Sequence, residues 1–422
     1  MATSSPGPVD ASTACLRPLA HVDSWILAGE PRAWQKTALA EWREGGGKGI
    51  ARVVTGAGKT YFAQMCIADW GASHPDGRII IVVPTLALLD QWYVDLEEDL
   101  GVKGRDIAVY SGEQRAAAPA RINLMVLNTA RSLAPVLSQG APSFLIVDEC
   151  HRAAAPANAQ ALQGEHDAAL GLSATPERQY DDGLDAVLIP ALGPIMFTYG
   201  YDEARRDEVI TEFILVNVGV HLSPDEQTEY DRLTKRVGMA VGRYKAGEDD
   251  GSRLKVALRQ RASVSANAAV RVPVAVALAD RHRGKRTVIF HESIAAAESI
   301  QRVLAARDHN ATLYHSRILP AVRRDNLRLF RRGAFSVLVS CRALDEGVNV
   351  PETEIGIIAS STASTRQRIQ RLGRVLRPAA RKDSATVYTL YATEIEERRL
   401  REEADKLEAA KEVRWQMAGN RG

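Results

Sequence analysis

The sequence predicts an α/β protein with two tandem parallel-sheet domains and a helical bridging segment between them. Short apolar strands alternate with helical patterns in both halves of the 422-residue chain, which is typical of doubly wound parallel sheets. Some strand candidates, such as Arg78 to Val83, are unbroken apolar runs, as strands buried on both faces should be. Polar residues follow several of these strands, at the edge where such sheets bind ligands.

The chain divides into five predicted parts. These are a disordered leader (1–20), a first α/β domain (21–222), a helical bridge (223–282), a second α/β domain (283–392) and a charged C-terminal helix (393–422). The leader is rich in Ala, Ser, Pro and Thr. The bridge opens on Ser223, Pro224 and Glu226, a helix start with a capping box. For any one basic residue of the bridge, a place on an ordinary solvated helical face is the simpler interpretation.

The terminal segment is dense in charge and carries only a thin apolar stripe. It could pack back on the second domain, which we take as the default, or pair with a protein partner as a coiled coil.

Bulk composition excludes several function classes. The formal net charge of +2 indicates no global nucleic-acid-binding surface, so any such surface must be local. The four cysteines, Cys15, Cys66, Cys150 and Cys341, have no metal-ligand or disulfide-framework spacing. No apolar run approaches the length of a membrane helix, and the first residues lack a signal pattern. We therefore expect a cytoplasmic protein without a membrane partner.

The stretch after the first predicted strand has the composition of a phosphate-binding turn. Glycines let backbone N–H groups close on phosphates, and the following helix adds partial positive charge. Lys59 would reach the β- and γ-phosphates of ATP, and the Thr60 hydroxyl would hold Mg²⁺. Val53 occupies the place of the first glycine in the full fingerprint, so a chance turn is the alternative. The turn consists of Thr55, Gly56, Ala57, Gly58, Lys59 and Thr60.

A second candidate element is the acidic pair that follows the apolar strand 143–147. Asp148 is placed to hold Mg²⁺ through water, and Glu149 to polarise the water that attacks the γ-phosphate. The alternative is an ordinary acidic pair on the surface at a strand end. The GKT turn upstream on the same sheet makes this alternative less convincing. Small hydroxyl residues at Ser173 and Thr175 could couple two sites.

An arginine-rich helical segment lies near the end of the second domain. Arginines three apart share a helical face and can both meet a triphosphate, which predicts this role for Arg374 and Arg377. The alternative is a basic helix that binds nucleic acid.

Together these motifs resemble those of superfamily 2 helicases and translocases, over most of the chain. TGAGKT, DECH, SATP and QRIQRLGRVLR are similar to motifs I, II, III and VI of that superfamily, in the same order. The DECH box and the arginine-rich ending look most like the XPB/UvsW-type branch, next to the type III restriction motors. This resemblance implies two RecA-like domains that hydrolyse ATP with Mg²⁺ while moving on or remodelling DNA in duplex or branched form. In the helicase mechanism that it implies, Gln370 would close on the γ-phosphate with Arg374 and Arg377.

The resemblance also implies further binding residues. Arg32 and Gln35 match the adenine-binding signature, and Gly347 and Asn349 match motif V. The implied nucleic-acid contacts are Pro84, Thr85, Asn128, Thr129, His291 and Ser340. Cys341 stands where the family often has a threonine, which puts one contact with the nucleic-acid backbone in doubt. Asn349 stands where an aspartate is common, so it could bond a ribose hydroxyl but without a charge.

Three alternatives to a DNA motor stay open at this level. The chain could be an RNA helicase, because backbone-binding motifs do not show how the 2′-hydroxyl is treated. It could be a non-catalytic scaffold, although the intact Lys59 and Glu149 argue against that. It could also be one subunit of a larger DNA repair or phage-defence complex, joined through its charged terminal helix.

Overall fold

The chain forms two compact units. The second contains the described residues from Tyr199 onwards together with Val54–Gly58 and Leu86–Val94, and the first contains the remaining described residues. The computed structural model describes residues 25–177, 182–209, 212–341, 353–360, 385–404, 407 and 410–419. Each unit contains one seven-stranded sheet flanked by helices. The prediction of two tandem parallel α/β domains is therefore confirmed.

The first sheet has the strand order β3-β4-β2-β5-β6-β1-β7, and the six strands from β3 to β1 run parallel. Its strands are β1 (Lys48–Val53), β2 (Arg78–Val83), β3 (Ile107–Tyr110), β4 (Ile122–Val126), β5 (Ser143–Asp148), β6 (Ala168–Ser173) and β7 (Ile195–Tyr199). The helices of this half are α1 (Ala33–Glu44), α2 (Lys59–Ser73), α3 (Leu86–Glu98), α4 (Leu127–Leu137) and α5 (Ile189–Leu192).

Helix and sheet meet in the first unit through buried apolar side chains. Strands β2, β5 and β6 are buried at every position, which explains their continuous apolar sequences. Helix α1 packs through Trp34 and Trp42, and the Trp42 indole donates a hydrogen bond to the Ala169 carbonyl at 3.2 Å. The tryptophan thus buries its ring while satisfying its one polar group.

The second sheet has the order β10-β11-β9-β12-β13-β8-β14, with every pairing parallel. Its strands are β8 (Phe213–Gly219), β9 (Thr287–His291), β10 (Ala311–Tyr314), β11 (Val337–Cys341), β12 (Ile355–Ile358), β13 (Ala385–Tyr391) and β14 (Ala410–Met417). The helices described in this half are α6 (Tyr201–Arg206), α7 (Pro224–Lys245), α8 (Ser252–Ala266), α9 (Arg271–Arg281), α10 (Ile294–Ala305), α11 (Pro320–Arg331) and α12 (Glu394–Ala404).

The two sheets share one topology. When the strands of the second sheet are renumbered from one, their order becomes 3-4-2-5-6-1-7, which is the order of the first sheet. The sequence contains no tight repeat, so the correspondence exists at the level of strand connection. The expectation of two similar α/β domains is confirmed in this stronger form.

Two predicted domain boundaries are wrong. Strand β8 falls within the predicted first domain (21–222), but it lies in the second sheet because it pairs with β13 and β14. The predicted bridge (223–282) consequently lies between two strands of that sheet, β8 and β9, and is an insertion in the second domain. The capped helix start at Ser223 is confirmed, since its hydroxyl accepts the Glu226 N–H at 3.3 Å.

The prediction of a C-terminal helix to about Met417 is also wrong. The helix ends at Ala404, and Ala410–Met417 forms β14 at the edge of the second sheet. Lys411, Glu412 and Arg414 resemble a charged helix in sequence, but they are exposed positions of an edge strand. The open edge of β8 supplies the hydrogen-bonding partners that decide between the two structures.

Among the described residues, no single helix is long and apolar enough to span a membrane. Within that part of the chain, the pair α8 and α9 reaches that length and composition together, with a 43° bend between the two helices.

Candidate functional site

The phosphate-binding turn predicted from the sequence joins β1 to α2 in the structure. Gly56 and Gly58 have φ values of 87° and 102°, a region that glycine enters without steric cost. Helix α2 begins at Lys59 and runs for 15 residues, so its N-terminus carries the partial positive charge that favours anions. The strand, turn and helix arrangement of Thr55 to Thr60 is therefore present.

The two acidic residues lie where β5 ends. Asp148 is the last residue of β5 and is 6% exposed, and its Oδ1 accepts the Glu149 N–H at 2.9 Å. Glu149 has φ 49° and ψ 49°, a left-handed backbone conformation that is unfavourable for residues other than glycine. Strain of this kind is common where a residue must aim its side chain at a site.

Lys59 and Glu149 face each other across this edge of the sheet. The Lys59 Nζ lies 3.5 Å from Glu149 Oε1, and both side chains are largely buried. The Lys59 Nζ has no hydrogen-bond partner among the residues that the structure describes. A buried ammonium without an acceptor costs free energy, and a phosphate oxygen would supply that acceptor. The residues present thus fit a nucleoside triphosphate.

His151 connects the acidic residue to the end of strand β6. Its Nδ1 lies 3.5 Å from Glu149 Oε2 and 3.0 Å from the Ser173 hydroxyl oxygen. That oxygen also accepts the Thr175 N–H at 3.1 Å. Ser173 and Thr175 therefore form a hydrogen-bonded connection to His151. Coupling of two sites through these residues stays a prediction.

The position of β6 explains why this chain exists. In the sheet order β5-β6-β1, β6 lies between the strand that ends at Asp148 and the strand that leads to Lys59. His151 was not among the residues predicted for the site. Its place within the DECH box was a signal, but its partner Ser173 could be identified only from the strand order.

Cys150 fills a small buried space behind the acidic residues. It is fully buried, and burial raises the pKa of its thiol, with the neighbouring Glu149 carboxylate raising it further. A Cβ atom on Gly171 would lie only 3.2 Å from the Cys150 Sγ and 3.0 Å from Ile50. Close packing, rather than thiol reactivity, accounts for Cys150 here.

The predicted adenine-binding residues lie at the start of α1. Gln35 is 2% exposed, and its Oε1 accepts the Arg32 N–H at 2.8 Å. In this structure the Gln35 amide therefore caps the first turn of α1. Binding of an adenine by Arg32 and Gln35 stays a prediction.

Four of the predicted nucleic-acid contacts lie together at the carboxyl edge of the first sheet. Pro84 and Thr85 follow β2, and Asn128 and Thr129 open α4 directly after β4. These strands are neighbours, with Val83 paired to Val126, so both segments leave the sheet at the same edge. Asn128 is exposed, and Thr85 and Thr129 are partly exposed.

The other two predicted contacts are buried. His291 is 1% exposed, and its Nδ1 accepts the Ser293 N–H at 3.0 Å. Ser340 lies within β11 with no exposed surface. A buried side chain offers no surface to a nucleic-acid strand, so the structure does not support these two contacts.

The remaining site predictions fall outside the described residues. They concern Gln370, Arg374 and Arg377 of the arginine-rich segment, and Gly347 and Asn349 of the motif V stretch. Their roles stay predictions.

Comparisons with known proteins agree with this arrangement. One family model, the res subunit of type III restriction enzymes, matches residues 28–178, and a second, the helicase conserved C-terminal domain, matches residues 270–379. The fold resembles Saccharomyces cerevisiae Dbp5 bound to RNA and ADP BeF3, with a TM-score of 0.60, 13% identity, and coverage of 92% of this chain and 90% of that one. The type ISP restriction-modification enzyme LlaBIII bound to DNA gives a TM-score of 0.57 at 15% identity, with coverage of 93% and 31%. Such identities show the fold alone.

Curated proteins give the closer sequence relationship. The chain is 28% identical to the DNA 3'-5' translocase XPB2 of Sulfurisphaera tokodaii, over 82% of this chain and 79% of that protein. It is 29% identical to the putative DNA 3'-5' helicase Rad25 of Haloarcula marismortui, over 79% of this chain, and 22% identical to the DNA 3'-5' helicase XPB of Mycobacterium tuberculosis, over 88%. The chain covers 48% and 62% of these two relatives.

The chain has two tandem RecA-like domains, and motif I and motif II residues face each other in the first. Together with the two matching family models and the relatives named as helicases, these features support a superfamily 2 helicase. The relatives named XPB support an XPB-like helicase within that superfamily.

Proposed function

We propose that this protein is an ATP-dependent DNA translocase or helicase that acts on duplex or branched DNA. The observation that carries the proposal is the buried, hydrogen-bond-deficient Lys59 ammonium, 3.5 Å from Glu149 at the end of a glycine-rich turn. The relatives named as DNA 3'-5' translocase or helicase support DNA as the nucleic acid.

Each residue of the first domain has a defined task in this proposal. Backbone N–H groups of Gly56 and Gly58 and the N-terminus of α2 bind the phosphates, and Lys59 holds the β- and γ-oxygens. Glu149 accepts a proton from the attacking water, and His151 and Ser173 hold its carboxylate in place. Bound ATP supplies the phosphoanhydride whose hydrolysis releases the free energy for movement.

Magnesium is the metal that this donor set fits. Thr60 would offer its hydroxyl, and Asp148 a carboxylate through water, while the phosphates supply the remaining oxygens. The described residues contain no cluster of three or more His, Cys, Asp or Glu that could hold a metal alone. A shared protein–phosphate site is the usual arrangement for Mg²⁺.

DNA contacts in this proposal come from two surfaces. Thr85, Asn128 and Thr129 lie at the carboxyl edge of the first sheet and would contact phosphates, which position a strand without reading its sequence. The helical hairpin formed by α7 and α8 (residues 224–266) adds exposed basic side chains. These are Lys235, Arg236, Arg243, Lys245, Arg253, Lys255 and Arg259. Binding should therefore weaken steeply as salt concentration rises.

An RNA helicase is the alternative within the same chemistry. The structural likeness to an RNA-bound protein shows the fold alone and does not favour RNA. Cytoplasmic location and a protein partner stay predictions. In the described part of the terminal segment, a partner would meet the helix α12 (Glu394–Ala404) and the edge strand β14 (Ala410–Met417).

The test is ATP hydrolysis by the purified protein alone and with duplex DNA, single-stranded DNA or duplex RNA. We expect the strongest stimulation with duplex DNA. Glu149→Gln should retain ATP binding while kcat falls by about 10²–10⁴, the usual contribution of a general base. Lys59→Ala should lose ATP binding.

Lys36→Ala is the matched control, because Lys36 is an exposed lysine on α1 of the same unit. Its turnover should equal that of the wild type. Normal turnover in Glu149→Gln would refute the site, and stimulation by RNA but not by DNA would transfer the proposal to an RNA helicase.

A further inference from the structure

Arg271 is an arginine with no exposed surface at the first position of α9. A guanidinium has five N–H donors, and each of them is used here. The acceptors are the Ser265 carbonyl at 2.7 Å, the Ala359 and Leu390 carbonyls at 2.8 Å each, and the two Glu396 carboxylate oxygens at 3.0 and 2.8 Å.

The acceptors come from four separate elements of the second unit. Ser265 lies at the end of α8, Ala359 directly follows β12, Leu390 lies near the end of β13, and Glu396 lies in the first turn of α12. Glu396 is itself saturated, since it also accepts the Ser265 hydroxyl at 3.0 Å and the Ala392 N–H at 2.7 Å. The result is a buried polar cluster in which the five guanidinium donors and both carboxylate oxygens are paired.

The cluster fixes the base of the helical hairpin to the sheet. The Ser360 hydroxyl donates to the Ala266 carbonyl at 2.6 Å, which adds a second bond between the end of α8 and the residues after β12. The other helix of the hairpin is tied in through Glu226, whose Oε1 accepts the Ala269 N–H at 2.8 Å. The start of α7 and the end of α8 are therefore both held by hydrogen bonds at the short segment 265–271.

The sheet side of the cluster lies at the carboxyl ends of β12 and β13. In a parallel α/β sheet this edge carries the ligand-binding segments. In the sequence, Ser360 is followed directly by the stretch that contains Gln370, Arg374 and Arg377. Arg271 thus joins the base of a basic helical hairpin to the strand end from which that stretch departs.

Stability alone gives a weak reason for such a cluster. Desolvation of a buried ion pair cancels much of its Coulombic gain, so well-packed apolar residues are often at least as stabilising. What apolar residues lack is directionality, because five donors in a rigid plane define the relative positions of several segments. The cluster is therefore suited to transmitting a displacement of the hairpin to the strand ends.

We propose that Arg271 is a positioning residue that couples nucleic-acid binding at the helical hairpin to ATP turnover. This inference rests on the proposed function. Arg271 touches neither ATP nor DNA in this scheme. It fixes the position of the hairpin base relative to the ends of β12 and β13. Nucleic-acid binding that displaces the hairpin therefore also displaces the ligand edge of the second sheet.

The test compares basal and duplex-DNA-stimulated ATP hydrolysis in Arg271→Lys and the wild type. A lysine keeps the charge but has three donors, so at least two of the five bonds are lost. We expect the ratio of stimulated to basal kcat to fall at least about threefold, the scale of a modest coupling energy. The KM for ATP and the affinity for DNA should change little.

Asp280→Asn is the matched control. Asp280 lies near the other end of the same helix, α9, where it accepts from His309 Nε2 at 2.8 Å and pairs with Arg307. Its loss should lower the melting temperature without changing the stimulation ratio. If Arg271→Lys does not fold, Glu396→Gln replaces it, since that variant keeps the side-chain shape while removing the carboxylate.

Three outcomes separate the possibilities. A reduced ratio in Arg271→Lys with an unchanged ratio in Asp280→Asn supports the coupling role. An unchanged ratio in Arg271→Lys, or equal reductions in both variants that follow their melting temperatures, overturns it and leaves a purely structural cluster. A wild-type protein that hydrolyses ATP without any stimulation by DNA would instead refute the proposed function.

Discussion

At the scale of single residues, the site depends on hydrogen bonds between side chains distant in sequence. Glu149 sits in a left-handed conformation and is contacted by Lys59 on one side and His151 on the other. His151 in turn lies 3.0 Å from the buried Ser173 hydroxyl. Glu149, the proposed proton acceptor, is therefore supported through His151 by a strand, β6, that carries no acidic residue of its own.

Ser173→Ala tests this positioning. The variant removes the oxygen that faces His151 and accepts the Thr175 N–H, so Glu149 loses part of its support. We expect kcat for ATP hydrolysis to fall about five- to thirtyfold while KM for ATP changes little, as for an interaction worth roughly 1–2 kcal/mol in the transition state. Steady-state kinetics at saturating duplex DNA would measure both constants.

Ser143→Ala is its matched control. Ser143 is equally buried at the start of β5, and its hydroxyl also lies 3.0 Å from a histidine, His166. It lies at the amino end of the strand, away from the ligand edge. A similar loss of kcat in both variants would show that general destabilisation, rather than positioning of Glu149, explains the Ser173 result.

At the scale of elements, the terminal strand β14 completes the second sheet. It pairs with β8 along its length, and it occupies the place that β7 holds in the first sheet. Trp415 on β14 packs against Tyr391 of β13 with ring centroids 5.8 Å apart, and the Arg401 guanidinium of α12 lies 4.1 Å from the Trp415 ring. The last described strand therefore packs against the core of the second unit from the edge of its sheet.

Trp415→Ala should destabilise the second unit. It removes a partly buried ring together with its aromatic and cation–π contacts, which predicts a loss of about 2 kcal/mol in the free energy of unfolding. Urea denaturation followed by circular dichroism would measure it. Lys411→Ala on the exposed side of the same strand should leave stability unchanged, and equal stability of the two variants would contradict the packing role of β14.

At the scale of the whole molecule, two buried histidines make stability depend on pH. Burial lowers the pKa of His166 and of His291 from 6.5 to about 4, and nearby Lys48 and Arg271, respectively, lower them further. At pH values between about 4 and 6.5, these histidines bind protons in the unfolded chain but not in the folded chain. The free energy of unfolding should therefore fall as pH decreases from about 6.5 to about 4.

His291→Asn tests this pH dependence. Asparagine can still accept the Ser293 N–H but cannot titrate. Between pH 6.5 and pH 4, the free energy of unfolding should therefore fall by about 1–3 kcal/mol less in the variant than in the wild type. Chemical denaturation at several pH values would give the two curves. The exposed His221→Asn is the control, and parallel curves for His291→Asn and the wild type would disprove the assignment.

The sequence by itself determined the local chemistry of this protein. The glycine turn, the acidic pair after β5 and the capped start of α7 follow from interactions within a few residues, and each is present as predicted. The alternation of apolar strands and helices likewise determined the two-domain α/β class, because burial on both faces requires continuous apolar strands.

Only the tertiary structure decided which segments meet. The strand order places Ser173 between Asp148 and Lys59, assigns β8 to the second sheet, and converts the charged tail into an edge strand. The Arg271 cluster joins residues up to 131 positions apart in sequence, and no local pattern marks it. Strand pairing and buried polar contacts depend on partners remote in sequence, and a local pattern carries no information about which partner is chosen.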